Sequence, residues 1–383
     1  MTADGLEFPL SASPNFPSYC AAPIRLTSTF TILMKQAPLI LAIVILTLAV
    51  SPLHAASPLG GLTVAASPSG DKVVAGGDTR TLLVLDPETL EVKERHWLGL
   101  SIVDLVFNKD GSVLAVHDTS DLLVLLNTSD WSKIAEIPKV VDFAAAPEAD
   151  VFVGQDGNYK GQTFKSYSFT DGSEQASITL PEDFKTAIIG IKPDGSRAAI
   201  LSERVKDESE PKVERGDIPK NLKGAAKKEF EQKNDGDTAT FLLIDLAAKK
   251  IEKESKTYYS ESNGKLIFSG DEILIVNYSN ENAKVNAAGE FSIFELENSY
   301  NYGIGFGKKN EIVLSGGLAN FSITNSGTLE AVTGKVDKIG GWPEYFKGFS
   351  GTPDGSKLYG ATTAFRVFRF NADGTIAATM QGH

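Results

Sequence analysis

Leu105-Val-Phe-Asn-Lys-Asp-Gly-Ser-Val-Leu-Ala-Val116 and Ile189-Gly-Ile-Lys-Pro-Asp-Gly-Ser-Arg-Ala-Ala-Ile200 are one word written twice. Each reads as a strand, a tight turn and a second strand. Pro presets φ at the second turn position, and Asp and Gly tolerate the remaining turn geometry. The word returns as SPSGDKVVAG (67–76) and TPDGSKLYGA (352–361). Weaker copies are APEADVFVG (146–154), FSGDEILIVN (268–277) and FGKKNEIVLS (306–315). The seven turn anchors are Gly70, Gly111, Ala149, Gly195, Glu272, Asn310 and Gly355, spaced by 41, 38, 46, 77, 38 and 45 residues. Ala149 and Glu272 depart from the Pro-Asp-Gly pattern, which predicts different turn types there.

A second alternating run follows each anchor: TLLVLD (81–86), DLLVLL (121–126), TFKSYSF (163–169), TFLLIDL (240–246) and FRVFRF (365–370), with those of the fifth and sixth units expected near Ala283–Ala287 and Leu318–Thr324. Turn residues come next, as in Asp86-Pro-Glu-Thr89, Asn127-Thr-Ser-Asp130, Thr170-Asp-Gly172 and Asn371-Ala-Asp-Gly374, and a short fourth strand closes each unit. Four short strands in about 42 residues, repeated seven times, predict an all-β, seven-bladed β-propeller. Blades bury both faces against their neighbours, which accounts for continuous apolar runs such as LLVLL. In this frame the chain begins on an innermost strand near Gly61 and ends on an outermost strand near Met380, so that no strand is shared to lock the ring; a frame shifted by one strand restores the lock, and the sequence leaves the two open.

The phrase Leu82-Leu-Val-Leu-Asp-Pro-Glu-Thr-Leu-Glu-Val92 is similar to the repeat unit of YVTN propellers, and the turn word Pro-Asp-Gly-Ser is shared with WD40 propellers. The resemblance to this WD40/YVTN type covers about residues 61–383 and implies fold, not activity. No Trp-Asp pair occurs, and the only Gly-His dipeptide is Gly382-His383. The Trp-ending blade motif of quinoprotein dehydrogenases is also missing, which argues against a quinone cofactor.

Loop lengths divide between the two ends of such a ring. The 77-residue spacing places a heavily charged insert at about 204–237, after the second strand of blade four; its nine basic and nine acidic residues cancel. Asp217-Ile-Pro-Lys-Asn-Leu-Lys-Gly-Ala-Ala-Lys-Lys-Glu-Phe-Glu-Gln-Lys233 is expected to form a short helix, with Asp217 as cap and Leu222, Ala226 and Phe230 on one stripe. Two further long connections, Gln155–Gln162 and Gly334–Phe346, fall at the same end.

Aromatics collect there too. Tyr159, Tyr258, Tyr259, Tyr278, Tyr300, Tyr302 and Tyr345, with Trp97 and Trp342, map to loops of the insert-bearing face. Tyr and Trp join apolar area to a polar tip, the combination used at binding surfaces. These nine residues are the candidate surface for a protein, peptide or glycan partner; the alternative is that the rings pack the loops onto the blades.

Enzymatic signatures are sparse. His96 and His117 fall near strand ends, and His117-Asp118 with Asp121 suggests a base or metal pair, but no third ligand has metal spacing and a surface turn explains them. Asp78, Asp118, Asp156 and Asp207 follow second strands, the places where a lactonase-like or other hydrolase at the channel mouth would need carboxylates; polar turns explain them equally. No G-x-S-x-G elbow, P-loop or calcium loop occurs. Neither a catalytic constellation nor a cofactor or metal site is expected.

The address comes from Ala37–Val50, APLILAIVILTLAV, an apolar run after Met34-Lys35 and before small residues. Residues 34–56 are expected to be a cleaved signal peptide, since the apolar run of 37–50 is short for a membrane span; the alternative is an uncleaved N-terminal anchor. Residues 1–33 are expected to be a mis-annotated N-terminal extension, with Met34 the true start. The sole Cys, Cys20, lies there, so the propeller of 57–383 is expected to hold no disulfide. With 37 Lys+Arg against 49 Asp+Glu, the chain of 383 residues carries a net charge of −12, which argues against nucleic acid and anionic membranes as partners. A monomeric, secreted or periplasmic protein is expected.

Overall fold

The structure is a computed structural model. It describes residues 60–380 apart from 157–162, 183, 207–218, 220, 224–226, 228–229, 232–236, 259–263, 271, 277–281, 295, 297–303, 307–310, 316–319, 326–330 and 338–343.

Seven blades follow one another along the chain. Blade one is β1 (Leu62–Ala66), β2 (Val73–Gly77), β3 (Thr81–Leu85) and β4 (Val92–Trp97). Blade two is β5 (Ile102–Phe107), β6 (Val113–Asp118), β7 (Leu123–Asn127) and β8 (Lys133–Ile137). Blade three is β9 (Val140–Ala145), β10 (Val151–Asp156), β11 (Thr163–Ser168) and β12 (Glu174–Thr179). Blade four is β13 (Thr186–Ile191), β14 (Arg197–Ser202), β16 (Asp237–Asp245) and β17 (Lys250–Thr257), with the two-residue β15 (Val205–Lys206) paired to the start of β16. Blade five is β18 (Lys265–Ser269), β19 (Glu272–Val276), β20 (Ala283–Val285) and β21 (Phe291–Ile293). Blade six is β22 (Ile304–Phe306), β23 (Glu311–Ser315), β24 (Asn320–Asn325) and β25 (Ala331–Lys335). Blade seven is β26 (Phe346–Gly351), β27 (Leu358–Thr362), β28 (Val367–Phe370) and β29 (Ile376–Met380). Within each blade consecutive strands pair antiparallel; six of the seven expected anchors lie at or beside the first turn of their blade, and Asn310 lies outside the described residues.

The anchors show why the repeated word works. Gly70, Gly111, Gly195 and Gly355 all sit at φ between 70° and 76°, the left-handed region open to glycine. Each donates its N–H to the carbonyl three residues back: Ser67, Asn108, Lys192 and Thr352, at 2.8–3.1 Å. This is a type I turn followed by a left-handed residue. The blade-five turn differs, as expected at Glu272: Ser269 pairs directly with Glu272, and the left-handed residue is Gly270.

Apolar packing lies between blades rather than in one centre. Along β2, Val73 and Ala75 pack toward blade seven while Val74 packs toward blade two. Along β6, Leu114 and Val116 face blade one, and Val113 and Ala115 face blade three. Both faces of these strands are therefore dry, and period-two alternation survives there only as a choice of neighbour. The largest aromatic cluster joins Phe321 of blade six to Phe346, Phe349, Phe368 and Phe370 of blade seven.

Blade one packs against blade seven through Leu62, Val64, Tyr359, Ala361 and Val367, so the ring closes. Among the described residues no strand is exchanged across this seam: β1 and β29 each belong to their own blade. Backbones approach closely there, since a Cβ on Gly61 would lie 2.6 Å from the Thr363 Cα.

Candidate binding face and channel

One end of the ring is made of hairpin turns whose acids serve the backbone. Asp194 accepts from the Ser196 N–H at 2.9 Å, Asp354 from Ser356 at 2.9 Å and Asp373 from Thr375 at 3.0 Å. Asp86 accepts two backbone N–H groups, from Glu88 and Thr89, both at 2.9 Å. Hydrogen bonds from Thr89 and Glu88 hold the Asp86 carboxyl down at about 2, and those to Ser196 and Thr352 do the same for Asp194 and Asp354. These acids stabilise turns and are committed to them.

The opposite end carries the longer connections. The insert leaves blade four between β14 and β16, and the β15–β16 pairing of Val205 with Thr238 extends that hairpin beyond the blade. The helix expected over 217–233 lies largely outside the described residues; within them Lys227 and Glu231 pair at 3.6 Å with helical i,i+4 spacing.

Three of the nine aromatic candidates are described, and strand direction brings all three to this end. Trp97 is the last residue of β4, Tyr258 follows β17, and Tyr345 precedes β26. Trp97 is 71% exposed, the most exposed large apolar side chain described. Its surroundings are nonetheless fixed, because the N–H groups of Leu98 and Gly99 both donate to the Arg80 carbonyl. Tyr345 is half-buried and joined to Thr363 in both directions: the Tyr345 N–H donates to Thr363 Oγ1 at 3.1 Å, and the Thr363 N–H to the Tyr345 carbonyl at 2.9 Å. Tyr159, Tyr259, Tyr278, Tyr300, Tyr302 and Trp342 lie outside the described residues. Tyr167 and Tyr359, which are not in the candidate set, are buried in inter-blade cores.

His117 and Asp118 are not at the surface, contrary to the turn reading. They are 7% and 6% exposed. The His117 Nε2–H donates to the Val140 carbonyl of the next blade at 2.6 Å, and Asp118 caps its turn by accepting from the N–H groups of Ser120 and Leu122. Both are structural partners of backbone. His96 pairs with Glu94 at 2.8 Å and lies 5.4 Å from the Trp131 ring on the outer rim. Asp78 accepts a hydrogen bond from Ser101 at 3.0 Å, while Asp207 and the side chain of Asp156 lie outside the described residues. Among the described residues no three His, Cys, Asp or Glu side chains converge as metal ligands would.

Two charged groupings escaped the motif search. At the channel, Lys265 Nζ of β18 lies 3.8 Å from Asp104 Oδ2 of β5. Those strands belong to blades two and five, so the approach crosses the axis of the ring. Asp142 of β9 shares this field: burial pushes its carboxyl up, against the opposing pull of Lys265. Burial alone would lower Lys265, but Asp104 and Asp142 outweigh it and its shift is upward. The signal was present in the repeat: Asp104, Asp142 and Lys265 each stand seven residues before their anchors Gly111, Ala149 and Glu272. The positions equivalent to these in blades one and seven also meet, since a Cβ on Gly348 would sit 2.8 Å from Thr63 Oγ1.

The second grouping is Arg366–Glu344, both buried, at 5% and 2% exposure. Arg366 Nε donates to Glu344 Oε1 at 2.9 Å, its NH2 bonds Glu344 Oε2 and also the Asp337 carbonyl, and Thr362 Oγ1 donates to Glu344 Oε1. Asp337 and Glu344 flank the connection carrying Trp342, so one guanidinium ties both ends of it.

No family model matches the chain, and no curated protein does. Solved structures do. Hydrazine synthase of Kuenenia stuttgartiensis aligns over 85% of this chain and 99% of its own, with a TM-score of 0.58 at 14% identity. The Cps50 (Swd1) β-propeller domain of Myceliophteria thermophila aligns over 82% and 94%, with a TM-score of 0.52 at 14% identity. U3-55K aligns over 73% and 80%, with a TM-score of 0.52 at 8% identity. The chain has a β-propeller fold. At these identities the likeness reports architecture, and function has to be argued from the site.

Proposed function

We propose that this propeller is an exported, non-catalytic binding or scaffold module of the WD40/YVTN kind, and that the insert-bearing end of the ring engages a protein, peptide or glycan partner. The insert-bearing end supports this, because a fixed backbone there presents Trp97 at 71% exposure. A large aromatic held out into water on an ordered scaffold is the kind of anchor around which binding energy concentrates. The protein works after removal of residues 34–56, in the periplasm or outside the cell, as a monomer and without a cofactor.

The test is capture by the immobilised protein, with partners identified by mass spectrometry from the exported fraction of the source cells. A partner retained by the wild type and lost by Trp97→Ala, at unchanged melting temperature, supports the proposal. Equal capture by both counts against it. Bound divalent metal by elemental analysis, together with turnover of a lactone and ester panel, would replace it with hydrolysis at the channel mouth. N-terminal sequencing of the exported protein tests the address, with Ala56 or Ser57 expected as the first residue.

A further inference from the structure

The inner strands of all blades run the same way, starting at the insert-bearing end. Lys265 is the first residue of β18; Asp104 and Asp142 are each the third residue of theirs. Lys265 and Asp104 therefore meet inside the channel near that mouth, and Asp142 stands at the matching position of the inner strand of blade three.

Their geometry is that of an open site. The Lys265–Asp104 separation of 3.8 Å is an ion pair too long for a hydrogen bond. Although protein surrounds them, 38% of the Lys265 side chain and 36% of that of Asp104 remain accessible to water. One oxygen of each aspartate is fixed by the next backbone N–H: Asp104 Oδ1 by Leu105 at 2.8 Å and Asp142 Oδ1 by Phe143 at 2.9 Å. Each carboxylate is thereby oriented while its second oxygen stays free of backbone. Oriented groups of both signs therefore face one another with part of each side chain open to water.

A simple cation would meet the ammonium of Lys265, and a simple anion would meet two carboxylates. A group bearing both charges side by side satisfies all three. We propose that this channel mouth binds a free α-amino acid, its ammonium between Asp104 and Asp142 and its carboxylate on Lys265. This site is separate from the aromatic surface proposed above and does not depend on it.

The test uses the purified mature protein and the twenty free L-amino acids, screened by thermal shift and followed by calorimetric titration of the best binder, its α-amide and its N-acetyl derivative. One amino acid is expected to bind, and either derivative to bind roughly tenfold to a hundredfold more weakly for loss of one charged hydrogen-bonding group. Asp142→Asn and Lys265→Gln, each checked for folding by circular dichroism, are expected to weaken it similarly. Asp104→Asn serves if either fails to fold. Absence of binding by all twenty, equal affinity for the derivatives, or unchanged affinity in the folded variants overturns the proposal. Trp97→Ala leaves amino-acid binding intact, which separates failure of this site from failure of the partner surface.

Discussion

The Tyr359 hydroxyl donates to the Pro87 carbonyl at 2.9 Å, and through it the last blade holds the outer turn of the first. The same turn is gripped twice more at Glu88, by Lys357 Nζ at 2.8 Å and by Arg369 NH1 at 3.3 Å. With no strand shared across the seam, these side chains and the apolar contacts beneath them replace a ladder of backbone hydrogen bonds. Tyr359 is fully buried, so Tyr359→Phe leaves the Pro87 carbonyl without its partner, at a cost of about 1–3 kcal/mol. Glu88 is 58% exposed, and Glu88→Gln is expected to cost less. Urea midpoints of the two variants decide the matter, and the reverse order would mean that surface charge holds the seam.

Acid sensitivity follows from the turns. The carboxyls of Asp86, Asp194 and Asp354 are held at about 2 in the folded ring, against about 3.9 in an unfolded chain. A depressed folded value means that their stabilisation is complete above the unfolded value and is lost as pH falls toward the folded one. The melting temperature is therefore expected to drop between about pH 4 and pH 2. Asparagine keeps the acceptor that closes each turn and removes the titration. The triple variant Asp86→Asn, Asp194→Asn, Asp354→Asn is expected to show a shallower acid limb, and parallel curves for variant and wild type would contradict the assignment.

The strength of the turns is also why the blades were legible in the sequence. Asp-Gly-Ser in a tight turn is a local device, set by left-handed glycine and a side-chain acceptor within four residues, so it survives without knowledge of the ring. Blade five was harder to read because its Gly270 turn is shorter and departs from the Pro-Asp-Gly order. Strand direction likewise placed Trp97, Tyr258 and Tyr345 at one end before any coordinates were known. Burial was not legible in the same way. His117-Asp118 looks like a surface turn in the sequence and lies beneath the next blade in the structure. Asp104 and Lys265 gain their meaning only when the ring closes and sets blade two opposite blade five.

Inter-blade packing predicts a graded series at Phe152. Its ring is fully buried between blades two and three, 4.9 Å from Phe169, 5.2 Å from Tyr167 and 6.5 Å from Phe143. Phe152→Ala is expected to cost about 3–5 kcal/mol, since the three surrounding rigid rings cannot collapse into the space. Phe152→Leu keeps much of the volume and is expected to cost about half of that or less. Equal losses for the two would show that stacking geometry, rather than filled volume, governs the interface.

Arg366 and Glu344 offer the sharpest test of a single contact. The pair is buried and multiply hydrogen-bonded, and the guanidinium also lies 4.6 Å over the Phe368 ring. Removing one partner strands a buried charge, so Arg366→Met is expected to cost about 3–5 kcal/mol, with Glu344→Leu destabilising as well. Arg366→Lys retains the charge but loses the fork that reaches Glu344 and the Asp337 carbonyl together, so it is expected to recover only part of that loss. The double variant Arg366→Met, Glu344→Leu removes both charges, and its loss is expected to be smaller than that of Arg366→Met alone. A double-mutant cycle by urea unfolding measures the coupling directly. If the four single and double changes simply add, the two ends of the Trp342-bearing connection are held by packing and the charges are incidental; strong coupling makes the guanidinium the tie.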